Sequence, residues 1–243
     1  MKMTGQQQRI EANMFIQGDC VEVLKNNKFN AHLIITDPPY NIGWDYSDKV
    51  NDRKKDYHEW CLEWAELCFK NISDDGIMCI INYPENNNIL YTDLVRKGYN
   101  FVQQLVWNYS TNIGQSKTKY TRSHRTILIF SKSKKYFFDG LKGEYKNPND
   151  KRIKQRIAEG HSPMHYDVFT YQLCKNVSKD KKNVGINQLP CELVEMLINT
   201  YSDFHDTVLD PFAGNRTVTD CAWNLARGRI AIDINNYDNL TKR

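Results

Sequence analysis

No apolar run in the 243 residues approaches the roughly 20 needed to cross a bilayer, so a transmembrane helix is not expected. Residues 1–15 are polar and lack an apolar stretch, so neither is a secretory signal peptide. No two cysteines stand in a C-x-x-C pair. The seven (Cys20, Cys61, Cys68, Cys79, Cys174, Cys191 and Cys221) are an odd number, which argues against a disulfide framework or a structural zinc site. A reducing, cytoplasmic setting fits that usage. The six histidines are scattered; His161 and His165 have i, i+4 spacing but no Glu-x-x-His context, so no metal is expected. There is no repeat and no low-complexity tract. What the chain does have is 40% apolar and 26% charged residues, enough for a globular core. Its length suits one domain, 1–243, with room for an inserted region.

Net charge is +4, but it is unevenly spread. Residues 112–182 hold 17 Lys and Arg against 6 Asp and Glu, while the rest holds 16 against 23. One contiguous third is strongly cationic and the remainder acidic. That bias points to a polyanionic partner. Tyr120, Phe130, Tyr136, Phe137, Phe138 and Tyr145 are interleaved with the positive charges, which suits stacking and packing around nucleic acid, with core packing the expected fate of Phe130 and Phe137.

Strands are expected at 14–17, 31–36, 76–81, 101–107, 125–130, 207–210 and 229–233. Helices are expected at 20–26, 55–71, 85–97, 190–201 and 214–227. The 55–71 segment has a clean apolar stripe (Tyr57, Trp60, Cys61, Trp64, Leu67, Cys68), and Pro190 suits a helix start. Ser73–Gly76 reads as a turn and 41–54 as an irregular polar loop. Regularity weakens over 139–185, the candidate inserted, target-recognition region. Alternating strands and helices imply an α/β fold: a doubly wound, mainly parallel, seven-stranded sheet.

In such folds ligands bind beyond the C-terminal strand ends. Four of those ends carry acids: Gly18-Asp19-Cys20, Asp37-Pro38-Pro39-Tyr40, Asp210-Pro211-Phe212-Ala213-Gly214, and Asp233. One Asp after a strand is ordinarily a helix N-cap. Four on one sheet edge favour a site.

These residues resemble the β-class DNA amino-methyltransferases. Thr36-Asp37-Pro38-Pro39-Tyr40 is similar to their catalytic motif, and Asp210–Gly214 to their S-adenosylmethionine motif, D-P-F-x-G-x-G. Gly18–Leu24 matches their G-D-C-x-x-x-L segment. Trp107, Arg122-x-His124 and Ile127–Lys132 match later strands, and Asn187-Gln188-x-Pro190-x-Glu192-Leu193 matches a helix start. The catalytic motif precedes the cofactor motif, the β-class order.

The resemblance implies transfer of a methyl group from S-adenosylmethionine to the exocyclic N6 amine of a flipped adenine in double-stranded DNA. That amine is conjugated with its ring and is a poor nucleophile. Two acceptors on its hydrogens, the Asp37 carboxylate and the Pro38 carbonyl held by rigid prolines, would draw it toward a tetrahedral state. Tyr40 would stack on the base. Asp19, Cys20, Asp37, Asn187, Gln188, Asp210, Phe212, Gly214 and Asp233 would hold the cofactor. Lys117, Lys119 and Arg122 would meet DNA phosphates. Relatives of this class are often dimers, and a recognition region this small would gain from a second subunit.

The chain departs from the pattern at Arg216, where the second motif glycine is usual, and at Leu189, where Lys is usual. The alternatives are cytosine-N4 methylation, for which Ser is the usual residue at position 37, and a non-catalytic DNA-binding subunit, for which Arg216 is the only support. An RNA or protein-glutamine substrate ranks below both.

Overall fold

The computed structural model describes residues 13–43, 45–47, 50–110, 117–174 and 188–235. Its frame is an eight-stranded sheet. The strands are β1 (Asn13–Gln17), β2 (Ala31–Thr36), β5 (Ile72–Asn82), β6 (Asn100–Asn108), β7 (His124–Ser131), β8 (Val168–Thr170), β9 (Thr207–Asp210) and β10 (Gly228–Asp233). Their order is β1-β10-β9-β2-β5-β7-β6-β8. Only β7 runs against its neighbours; the other pairings are parallel. The doubly wound expectation holds, with β8 added as a short edge strand.

Period-two alternation splits the core between two faces. Ile34, Met78, Ile80, Leu128 and Phe130 point to one face. There they meet α1 (Cys20–Asn26), α2 (Tyr57–Asn71) and α3 (Pro84–Arg96). Leu33, Ile35, Ile77, Cys79, Ile81, Ile127 and Ile129 point to the other. That face is covered by α5 (Cys191–Tyr201) and α6 (Thr217–Asn224). A strand apolar on both faces reads as a continuous run, as AHLIIT and GIMCII do.

Three expectations are corrected. Ser73–Gly76 is not a separate turn: β5 begins at Ile72, paired to Ala31, and an irregularity between Ala31 and Leu33 absorbs the extra residues. Within 41–54, β3 (Asp45–Ser47) and β4 (Val50–Asn51) form an antiparallel ribbon, closed where Asp52 accepts from the Ile42 and Gly43 amides. Helix α6 starts at Thr217, three residues later than expected, because 211–216 are spent on the turn that shapes the site. The segment from 139 also holds α4 (Lys151–Ala158), capped by Asp150 and with no buried residue. Residues 175–185 of that segment lie outside the described ones.

Candidate active site

Strands β2 and β9 lie side by side, yet the chain leaves β2 toward β5 and leaves β9 toward β10. Their C-terminal ends therefore flank a topological switch point, where loops diverge and leave a crevice. A cavity of about 210 Å³ opens there. Its wall includes Asp19, Cys20, Asp37, Pro38, Pro39, Tyr40, Gln188, Asp210, Phe212, Gly214 and Asp233, so all the expected catalytic and cofactor residues within the described ones meet in one space. Asn187 lies outside the described residues. Asp52, Lys54, Trp60 and Leu189 complete much of the wall. Trp60 and Leu189 were not expected to line a site, because nothing in an apolar helix stripe or beside a helix start marks which residue reaches across.

The cofactor half is built from backbone amides turned onto carboxylates. Asp19 caps α1, its Oδ1 accepting from Val21 N at 2.9 Å and Glu22 N at 3.4 Å. It is both a cap and a cavity residue. Asp233 accepts from Gly214 N at 2.7 Å and from Asn235 N at 2.8 Å, which ties the end of β10 to the turn after β9. Asp210 is buried and accepts from Phe212 N at 3.0 Å. The Phe212 ring meets the edges of Trp60 and Trp64 at 5.5 and 5.4 Å.

The departure at Arg216 has a local explanation. Its φ of 59° lies in the left-handed region, where glycine carries no steric cost, and Gly214 two residues earlier has φ 46°. The backbone keeps the glycine-type turn although the residue is Arg. The guanidinium lies 4.2 Å over the Phe15 ring on β1, directed onto that strand.

The catalytic half is braced from behind. Tyr57 donates to the Pro39 carbonyl at 2.7 Å and accepts from Asn82 Nδ2 at 3.0 Å. Asn86 Nδ2 donates to the Tyr40 carbonyl at 3.1 Å and to Asn82 Oδ1 at 3.0 Å. The turn is thus held at two successive carbonyls by α2, β5 and α3. Tyr40 is buried and its hydroxyl donates to Asp37 Oδ1. Its ring packs on Tyr83 at 4.8 Å, and the Arg125 guanidinium lies over it at 4.7 Å. Sequence reasoning missed Tyr57, Asn82, Asn86 and Arg125 as parts of this assembly. An asparagine closing an apolar strand, Asn82, was the available signal.

The carboxyls carry the electrostatic load. Burial pushes Asp37 up; the Arg125 cation and the Tyr40 hydroxyl pull back. Burial pushes Asp210 up strongly, and the neighbouring Asp233 and Asp37 add to the rise. Asp233 is raised by burial and relieved by its two amides and Arg216. A cavity walled by crowded carboxyls and by the Trp60, Phe212 and Leu189 side chains favours a ligand with cationic and apolar parts. S-adenosylmethionine has that chemistry. Thr217 Oγ1, on the wall and buried, has no protein hydrogen-bond partner, an orphan that a bound ligand can satisfy. Among the described residues no cluster of His, Cys, Asp or Glu could hold a metal ion, and no helix is long and apolar enough to cross a membrane.

Of the expected phosphate contacts, Lys117 and Lys119 are exposed in the connection between β6 and β7, at the catalytic edge. Arg122 is partly covered: it stacks 4.0 Å over Tyr83 and pairs with Glu85.

Comparison with known proteins gives the following. A family model described as DNA methylase matches residues 31–241. The type II methyltransferase M.HpaI of Haemophilus parainfluenzae is 32% identical over 225 residues, 90% of this chain and 69% of that protein. The DNA adenine methyltransferase YhdJ of Escherichia coli (strain K12) is 30% identical over 237 residues, 93% of this chain and 80% of that one. Among solved structures, the cytosine-N4-specific PvuII DNA methyltransferase superposes with a TM-score of 0.70 at 16% identity, covering 92% of this chain and 82% of its own.

Proposed function

Because the chain belongs to the DNA methylase family, a site-specific DNA methyltransferase of the N6/N4 amino type that uses S-adenosylmethionine, we propose that its target is the N6 amine of adenine, flipped out of double-stranded DNA. The observation that carries the reading is Asp37: a carboxylate, not a serine, opens the catalytic motif, and it stands on the same cavity wall as Asp19, Asp210 and Asp233. The bound cofactor supplies a methyl group on a sulfonium, whose leaving group is already good.

The chain's own residues do the rest by position and charge. The carboxyls of Asp210 and Asp233 favour a cation in the cofactor half. Tyr57 and Asn86 fix the turn so that the Pro38 carbonyl and Asp37 hold a set separation. The Tyr40 hydroxyl donates to Asp37 Oδ1. The arriving adenine amine takes over that acceptor, and the released tyrosine ring packs on the base. With one hydrogen on Asp37 and the other on the Pro38 carbonyl, the amine lone pair would be drawn out of conjugation with the ring and made available to the methyl donor, and Asp37 would take the proton that the methylated amine gives up. The segment 139–185 serves in target recognition, and Lys117 and Lys119 neutralise phosphates.

The test is mass spectrometry of nucleosides from DNA methylated by the purified protein. N6-methyladenine is expected; N4-methylcytosine overturns the choice of base. Asp37→Ala is expected to lower methylation by about 10²–10³-fold, the scale for losing one preorganised electrostatic partner, while DNA binding persists. A wild type as inactive as Asp37→Ala would instead favour the non-catalytic subunit.

A further inference from the structure

Arg125, the second residue of β7, is buried, 6% exposed, in a place where a cation needs a reason. Its guanidinium carbon lies 4.7 Å from the Tyr40 ring centre, 4.9 Å from Trp107, 5.7 Å from Tyr83 and 5.9 Å from Tyr109. Its Nε has no hydrogen-bond partner. Four rings from three chain segments converge on one charge, behind the Tyr40–Asp37 pair. Packing alone would be better served by an apolar side chain, because a buried cation without a carboxylate contact costs free energy that stacking only partly offsets.

We propose that Arg125 is a positioning residue for methyl transfer, a fixed cation behind Tyr40 that keeps Asp37 ionised when the target amine displaces the tyrosine hydroxyl. The inference rests on the role given to Asp37 above. Only the ionised carboxyl offers acceptors alone; a protonated one would itself donate and cannot draw hydrogen density from the amine. Two groups support the charge, Arg125 and the Tyr40 hydroxyl. Once Tyr40 turns to the base, the arginine remains. An arginine is suited to this, since it does not lose its proton even when buried. Burial works against its charge, but the oxygens of Tyr40, Asp37 and Tyr109 outweigh that and hold it protonated.

The charged and titratable groups around Asp37 come from every element packed there. They are Tyr40 on its own turn, Arg125 on β7, Tyr83 before α3, Tyr109 after β6, and Asp210 after β9. Asp52 and Lys54 reach the same cavity from the ribbon side, and Asp19 and Asp233 from its far wall. Burial raises the cost of ionising Asp37, which sharpens the need for a cation behind it.

The test follows the Asp37 carboxyl directly, by carboxyl ¹³C NMR of the whole protein labelled at aspartate, with Asp37→Asn to assign the signal. Asp37 is expected to be ionised at neutral pH in the wild type; finding it protonated there overturns the proposal without any change at Arg125. In Arg125→Gln the titration and the acid limb of the kcat profile are expected to move up together by about one pH unit or more, the effect of removing a nearby opposite charge. At neutral pH kcat falls by about tenfold and recovers in alkali, with KM for DNA unchanged. Arg125→Lys retains the charge and is expected to restore most of the profile. A purely structural arginine predicts loss at all pH values in both variants with the Asp37 titration unmoved, which would refute the role. Should the enzyme prove to methylate cytosine, the choice of base fails while the Asp37 titration still decides this inference.

Discussion

Single residues in this site are set by backbone geometry as much as by side-chain chemistry, and Arg216 shows how the two separate. A non-glycine residue at φ 59° carries a steric cost of about 1–2 kcal/mol. The turn keeps that conformation because the Gly214 amide must reach Asp233 and the Ala213 carbonyl must accept from Arg216 N. The side chain is directed onto Phe15 rather than into the ligand space. Arg216→Gly is therefore expected to be more stable than Arg216→Ala by about 1 kcal/mol, since only glycine relieves the left-handed strain. Both are expected to bind S-adenosylmethionine within about threefold of the wild type, as the stack on Phe15 is worth only about 0.5–1 kcal/mol and the support that Arg216 lends Asp233 is shared with the Gly214 and Asn235 amides. Thermal unfolding and titration calorimetry on the two variants check this. A tenfold loss in both would mean that the arginine serves the cofactor directly.

At the scale of elements, legibility followed burial. Strands β2, β5 and β7 were plain in the sequence because their apolar runs face two helical layers, and α2 because its stripe packs on one of them. Strand β8 and helix α4 were not: β8 is three residues long with none fully buried, and α4 has only Ile153, Ile157 and Ala158 as apolar positions among its charges and buries none of them. The ribbon β3–β4 is two short strands joined by polar sequence, with no more signal. The motif ends of the strands could be read because acids and prolines there break the local pattern. The braces could not. Tyr57 looks like one more member of an apolar stripe, and Arg125 like the first residue of a strand. Only the packed structure shows that one meets the Pro39 carbonyl and the other the Tyr40 ring.

Residues 117–123 of the β6–β7 connection are of the opposite kind, mostly exposed and cationic at the catalytic edge. Neutralising Lys117 and Lys119 together is expected to weaken binding to all DNA sequences alike. It should flatten the dependence of log affinity on log salt by about 0.9 for each phosphate that is no longer neutralised. Binding titrations over a salt series measure both. Arg122, tied to Glu85 and Tyr83, is expected to contribute less to that slope than Lys117.

For the whole molecule, the crowded carboxyls make stability and function pull against each other. Asp37, Asp210 and Asp233 are all raised above the ordinary carboxylate value in the folded protein, chiefly by burial. Between the unfolded value and each raised folded value, the folded chain holds more protons than the unfolded one. These groups therefore lower stability as pH rises through that window, and the full penalty persists above it. Asp210→Asn keeps an acceptor for Phe212 N but removes the charge. It is expected to raise the melting temperature of the ligand-free protein at neutral pH by at least about 2 °C, the shift that about 1 kcal/mol gives at this chain length. The advantage should shrink as pH falls, because the wild-type carboxyl then takes up its proton. Ligand binding should show the other side of the same linkage. A cation entering the cavity favours the ionised acids, so binding of S-adenosylmethionine is expected to release protons, visible as a calorimetric heat that varies with the ionisation enthalpy of the buffer. In Asp210→Asn that release should diminish and affinity should fall. A variant that gained stability with undiminished affinity and unchanged proton release would show that the acidic crowding serves something other than the methyl donor.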